Sequence, residues 1–64
     1  MTEDEAKAAI RRQGWTPRRR KDAKGHQFYL YAYHRIGGKV VEKYIAPLSQ
    51  LERMTESEIV AKLS

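Results

Sequence analysis

The chain has 64 residues, 41% of them hydrophobic and 33% charged, with 13 Lys and Arg against 8 Asp and Glu and no cysteine. That length allows a single small basic domain, residues 1–64, with a modest core, because chains of about 60 residues bury only about 60% of the surface their unfolded forms expose. The missing cysteines exclude a disulfide framework, a zinc knuckle and a thiol nucleophile together, and no apolar run approaches the roughly 20 residues needed to span a bilayer.

Thr2-Glu3-Asp4-Glu5 has the pattern of a capping box, in which the Thr2 hydroxyl accepts from the N3 amide and Glu5 reaches back. Acids in the first turn and Arg11-Arg12 in the last complement the helix dipole. Ala6, Ala9 and Ile10 fall on one face and Gly14 stops the helix, so a helix is expected over about 3–13. Trp15 to Lys21 reads as a strand, and Pro17 places it at a sheet edge because proline cannot donate to a ladder. Asp22-Ala23-Lys24-Gly25 has the residues of a type I turn. His26 to Ile36, with Phe28, Tyr29, Leu30, Tyr31 and Tyr33, is the strongest strand signal in the chain. Gly37-Gly38 suits a two-residue hairpin turn with positive φ, Lys39 to Ala46 reads as the third strand, and Pro47 ends it. Ser49-Gln50-Leu51-Glu52 and Thr55-Glu56-Ser57-Glu58 are two further capping boxes. The first suggests a short turn carrying Leu51 and Met54, the second a helix to about Leu63 that buries Ile59, Val60 and Leu63. The expected fold is α+β: a three-stranded antiparallel meander with an N-terminal and a C-terminal helix on one face, in the order α-β-β-β-α.

Alternation of side chains across a strand turns register into arithmetic. A Gly37-Gly38 loop pairs Ile36 with Lys39, Tyr33 with Glu42, Tyr31 with Tyr44 and Leu30 with Ile45. A turn at 22–25 pairs Lys21 with His26, Arg18 with Tyr29 and Thr16 with Tyr31. One face then holds Trp15, Pro17, Phe28, Leu30, Ala32, Val41 and Ile45, which should lie beneath the helices with Ile10, Ile59 and Leu63. The other holds Thr16, Arg18, Arg20, Gln27, Tyr29, Tyr31, Tyr33, Arg35 and Tyr44. A bulge or a three-residue loop would instead turn Tyr44 to the core and bring Lys39 and Lys43 to the tyrosine face.

The charge is concentrated in the same region. Residues 14–43 carry eight cations and two acids, and the flanking segments are neutral or acidic, so the whole formal excess of +5 lies in the strands and their turns. Exposed aromatic rings interleaved with cations are how several single-strand and RNA readers bind, and a sheet can also enter the major groove, where Arg reads guanine. The bland alternative is that tyrosine simply forms strands well on a half-wet surface. A two-layer domain has nothing to cover that face, which favours the functional reading. His26 and His34 lie far apart without carboxylate partners, so no metal site is expected. Ser49, Ser57 and Ser64 have no histidine at triad spacing, and no helix follows Gly37-Gly38 to make it a phosphate loop. Neither an enzyme nor a bound cofactor is expected.

The run Tyr29-Leu30-Tyr31-Ala32-Tyr33-His34-Arg35-Ile36-Gly37-Gly38-Lys39-Val40-Val41-Glu42-Lys43-Tyr44-Ile45 resembles a tyrosine-rich hairpin, YxYxxR…GGKV…KYI, of uncharacterised short prokaryotic proteins. A similar hairpin lies near the N-termini of some insertion-sequence transposases. The short proteins continue Tyr-Ile-Gly-Pro-Leu where this chain has Tyr44-Ile45-Ala46-Pro47-Leu48. The transposase likeness would imply DNA contact by the hairpin, without the catalytic part of those enzymes. Residues and resemblance together point to a small nucleic-acid-binding protein, DNA rather than RNA, from a prokaryote or its virus. Arg18, Arg19, Arg20, Lys21, Arg35, Lys39 and Lys43 would contact phosphates, and Tyr29, Tyr31, Tyr33 and Tyr44 would stack on bases or line the groove. About five phosphate contacts would give a slope of log affinity on log salt of roughly −3.5 to −4.5. The rival reading is a protein-interaction module, since Tyr and Arg are also enriched at interface hot spots; it would dock a partner or a second copy. No membrane partner is expected. An acidic start unlike a leader peptide and the lack of cysteine fit the cytoplasm, or the nucleoid if DNA is bound.

Overall fold

The computed structural model describes all 64 residues and shows an α+β fold in the expected order. Helix α1 spans Glu3–Arg12, strand β1 Thr16–Lys21, β2 Phe28–Ile36 and β3 Lys39–Pro47; a 3-10 turn follows at Leu48–Arg53 and helix α2 at Glu56–Leu63. The strands form one antiparallel sheet with β2 in the centre.

Local chemistry sets the ends of both helices. Thr2 accepts from the Glu5 amide and Glu5 accepts from the Thr2 amide, and Thr55 and Glu58 repeat this reciprocal pair at α2. The Lys7 ammonium, hydrogen-bonded to Glu3, and the nearby Arg19 hold the Glu3 carboxyl below its ordinary range. At the other end of α1 the Gly14 amide donates to Arg11 and the Trp15 amide to Ile10, with Gly14 at φ 83°. This is a Schellman stop, which needs a residue at ease in the left-handed region. The Ser49 box does not form. Pro47 is the cap of the 3-10 turn and there is no side-chain cap bond, because the turn starts directly off β3 and leaves Ser49 inside it.

Two register details differ from the sequence reading. The Asp22–Gly25 turn forms, but the Asp22 carboxylate also accepts from the His26 amide, and the ladder resumes only at Lys21 opposite Phe28. The pairing of β1 with β2 therefore slides by two residues. Arg18 faces Tyr31 and Thr16 faces Tyr33, while Gln27 and His26 lie outside the strand. An even slide leaves every side chain on its expected face. On the other side, Ile36 pairs with Lys39, Tyr33 with Glu42 and Tyr31 with Tyr44, but an irregularity at Leu30/Tyr31 sets Leu30 opposite Ala46. This bulge lies beyond Tyr44, so the tyrosine keeps its face, and consecutive Ile45 and Ala46 are both buried.

The core is one cluster between the helices and one face of the sheet: Ala6, Ala9 and Ile10 from α1, Leu30 and Ala32 from β2, Ile45 and Ala46 from β3, Leu51 from the 3-10 turn, and Ile59 and Leu63 from α2. Small residues on α1 let the helix approach the sheet closely. An ion pair between Arg12 and Glu56 ties α1 to the start of α2. Trp15 is half-buried against the core and Phe28 is half-buried, while Val41 is 36% exposed, against the expectation that all three lie beneath the helices. The hairpin of β2 and β3 is longer than the layer covering it, so its tip, with Ile36, Val40 and Val41, stands in solvent. The Cα envelope measures 34 × 27 × 16 Å, and its short dimension has room for a sheet and one layer of helices at the usual spacing of about 10 Å. The second face of the sheet is therefore open.

Candidate nucleic-acid interface

The open face is built in cross-strand rows. Arg20, Tyr29 and Pro47 form one, Arg18, Tyr31 and Tyr44 the next, then Thr16, Tyr33 and Glu42, and Arg35 with Val40 near the hairpin tip. All four tyrosines and Arg18, Arg20 and Arg35 share this face. Gly37 and Gly38, at φ 56° and 81°, make the tight turn that holds the Tyr31–Tyr44 row in register.

The rings and cations touch in a regular way. The Arg18 guanidinium carbon lies 4.8 Å from the centroid of Tyr33, and that of Arg20 lies 5.2 Å from Tyr31. Tyr44 meets Tyr31 edge-on at 5.4 Å and Tyr29 at 5.9 Å. Tyr29, Tyr31 and Tyr33 are half-buried under their neighbours, and Tyr44 is the open ring, 45% exposed. Desolvation among these rings, with Tyr29 and Tyr31 nearby, raises the Tyr44 phenol above its ordinary 10.0. The Tyr29 hydroxyl donates to Gln27 at 3.2 Å. The surface thus presents two guanidinium groups in cation–π contact with rings, one open ring beside them and one further arginine.

Four of the cations expected at phosphates lie off the tyrosine face. Arg19 and Lys21 point to the helix side, where both lie over Phe28, at 4.6 and 5.3 Å, and Arg19 also reaches Glu3 at 3.6 Å. The alternation that turns Arg18 and Arg20 outward turns these two inward. Lys43, opposite Ala32, is on the helix side as well; it donates to the Ser64 carbonyl at 2.9 Å and lies 5.7 Å from the Trp15 ring. Lys39, opposite Ile36, lies on that side at the exposed hairpin tip. His34 packs against Trp15, with ring centroids 5.3 Å apart, and leaves the open face free of histidine.

Two residues of the site were not singled out from the sequence. Glu42 lies on the open face and its carboxylate accepts from Arg20 Nη2 at 2.7 Å. Its pairing with Tyr33 already carried that signal. Lys62 of α2 brings its ammonium to 5.9 Å from the Tyr44 ring, a contact across the β3 edge that no local pattern announces.

The chain belongs to the DUF6788 family: the model of this domain of unknown function matches residues 3–56, which include the whole sheet. Of the hairpin resemblance, the match supports membership of an uncharacterised family and tests neither the tyrosine-rich motif nor the transposase likeness. No curated protein and no solved structure matches the chain.

Proposed function

We propose that this member of the DUF6788 family binds nucleic acid, DNA in preference to RNA, through the open face of its sheet. The observation that carries the reading is the pair of cation–π contacts in which Arg18 lies over Tyr33 and Arg20 over Tyr31, beside the open Tyr44 ring. A guanidinium lying over a ring still has a side turned away from the ring, and N–H groups not already bonded are available. Bases stack on arginine planes as they do on aromatic rings, and the N–H edges bond phosphate oxygens. The formal charge of +5 favours any polyanion. The hairpin's likeness to the N-terminal hairpin of some insertion-sequence transposases points to DNA.

A titration of the protein with single-stranded DNA, duplex DNA and RNA at two salt concentrations tests this. Stacking on the tyrosine face predicts the tightest binding to single strands, with affinity falling as salt rises. Binding that ignores salt, or self-association of the protein alone, would favour the protein-interaction reading.

A further inference from the structure

Glu42 is out of place on a surface that binds phosphates. It is the one acid on the strands of the open face, and it lies among three arginines and four tyrosines. An ionised carboxylate accepts hydrogen bonds and donates none. The sugar–phosphate backbone of DNA offers only acceptors, so Glu42 repels it. The donors that DNA can offer lie on the edges of its bases.

The position of Glu42 turns this into a geometric argument. Arg20 is opposite Tyr29 and Glu42 is opposite Tyr33, so their ion pair runs diagonally over Tyr31 from one edge strand to the other. The carboxylate side chain is 27% exposed and Arg20 46% exposed. Tyr44 is two residues along the same face of β3 from Glu42, about 7 Å at the usual rise, and its ring is the open one. A base on that ring, beside the Lys62 ammonium 5.9 Å from it, would lie one two-residue step from a donor and an acceptor held side by side. Nη2 of Arg20 is committed to Glu42, and the rest of its guanidinium is free to donate.

Guanine matches this pair along its whole Watson–Crick edge. Its O6 accepts, and its N1–H and N2–H are adjacent donors that a carboxylate takes up together. Adenine and cytosine present a single amino donor on that edge, and thymine a single imino donor. In a duplex the N1 and N2 groups of guanine are occupied by cytosine. We infer that the Arg20–Glu42 pair is a base-reading device that selects an unpaired guanine stacked on Tyr44, with Glu42 accepting from N1–H and N2–H and Arg20 donating to O6. This rests on the nucleic-acid reading above and gives it a base preference.

The test uses fluorescence anisotropy with short oligothymidylates that carry one central guanine, one central hypoxanthine, which lacks the N2 amine, or neither. The parent protein should bind the guanine strand about 5- to 150-fold more tightly than the all-thymine strand, the range of a bidentate base contact, with hypoxanthine between them. Glu42→Gln should bring the three affinities to within about two-fold while tightening the all-thymine complex, since it removes a repelling charge and keeps the shape. Arg20→Lys should lose the preference for guanine, because an ammonium lacks the fork that bonds Glu42 and O6 together. A parent that binds all three strands equally, with Glu42→Gln tightening each by the same factor, would overturn the inference and leave the nucleic-acid reading standing. A parent that binds none of them would overturn both.

Discussion

Arg18→Ala removes one cation from the open face at little expense to the fold. Arg18 is exposed and its stack on Tyr33 is worth about 0.5–1 kcal/mol at such a site, whereas a chain of 64 residues has about 3–10 kcal/mol in total. The variant should therefore stay folded and report on binding alone. With Arg18, Arg20, Arg35 and Lys62 as the cations at the face, a single strand should give a log–log salt slope of about −2.8, at roughly −0.7 per neutralised phosphate. This is shallower than five contacts would give, because Arg19, Lys21 and Lys43 are engaged on the helix side. Arg18→Ala should flatten the slope to about −2.1. Arg19→Ala is the internal control: it changes net charge equally and should leave the slope unchanged. The assay is anisotropy of a labelled oligothymidylate over a range of salt, with circular dichroism to confirm folding. Equal flattening by Arg18→Ala and Arg19→Ala would refute the assignment of the open face as the binding surface.

Tyr44→Ala should lose about 1–3 kcal/mol of single-strand affinity, and Tyr44→Phe much less, because the open ring is retained; both are read by the same anisotropy titration. Leu30→Ala, at a fully buried position in the central strand, should cost about 2–5 kcal/mol in urea unfolding, while Val41→Ser at the exposed hairpin should stay within about 0.5 kcal/mol of the parent. The Tyr44 phenol is raised above 10.0 in the folded protein, so its contribution is complete below the unfolded value and disappears as pH rises through the folded one. Melting temperatures taken across that alkaline range should fall less steeply for Tyr44→Phe than for the parent.

Most of the fold was legible because its determinants are local. Two reciprocal capping boxes, Gly14 and Gly37-Gly38 act within a few residues of themselves and mark the helix ends and the hairpin turn. Pro17 assigns β1 to an edge by its missing N–H alone. Strand parity then sorts Leu30, Ala32 and Ile45 from Tyr29, Tyr31, Tyr33 and Tyr44, and a slide of β1 by two residues cannot disturb that sorting. The same parity already turned Arg19, Lys21 and Lys43 away from the tyrosines, so grouping them with the tyrosine face came from charge counting rather than from missing information.

What depended on tertiary structure is what depends on distance between segments. The extent of the helix layer decides that Val41 lies in solvent although it shares parity with Leu30. The bulge between Leu30 and Tyr31 arises where β3 leaves for the 3-10 turn, and it buries Ile45 and Ala46 together, which strict alternation forbids. Ser49 lost its capping role because the chain enters that turn directly from Pro47. The meeting of Arg20 and Glu42 over Tyr31 joins residues from the two edge strands that never pair with each other. No pattern along one strand describes it, because it exists only when both edges are laid against β2 in their final registers.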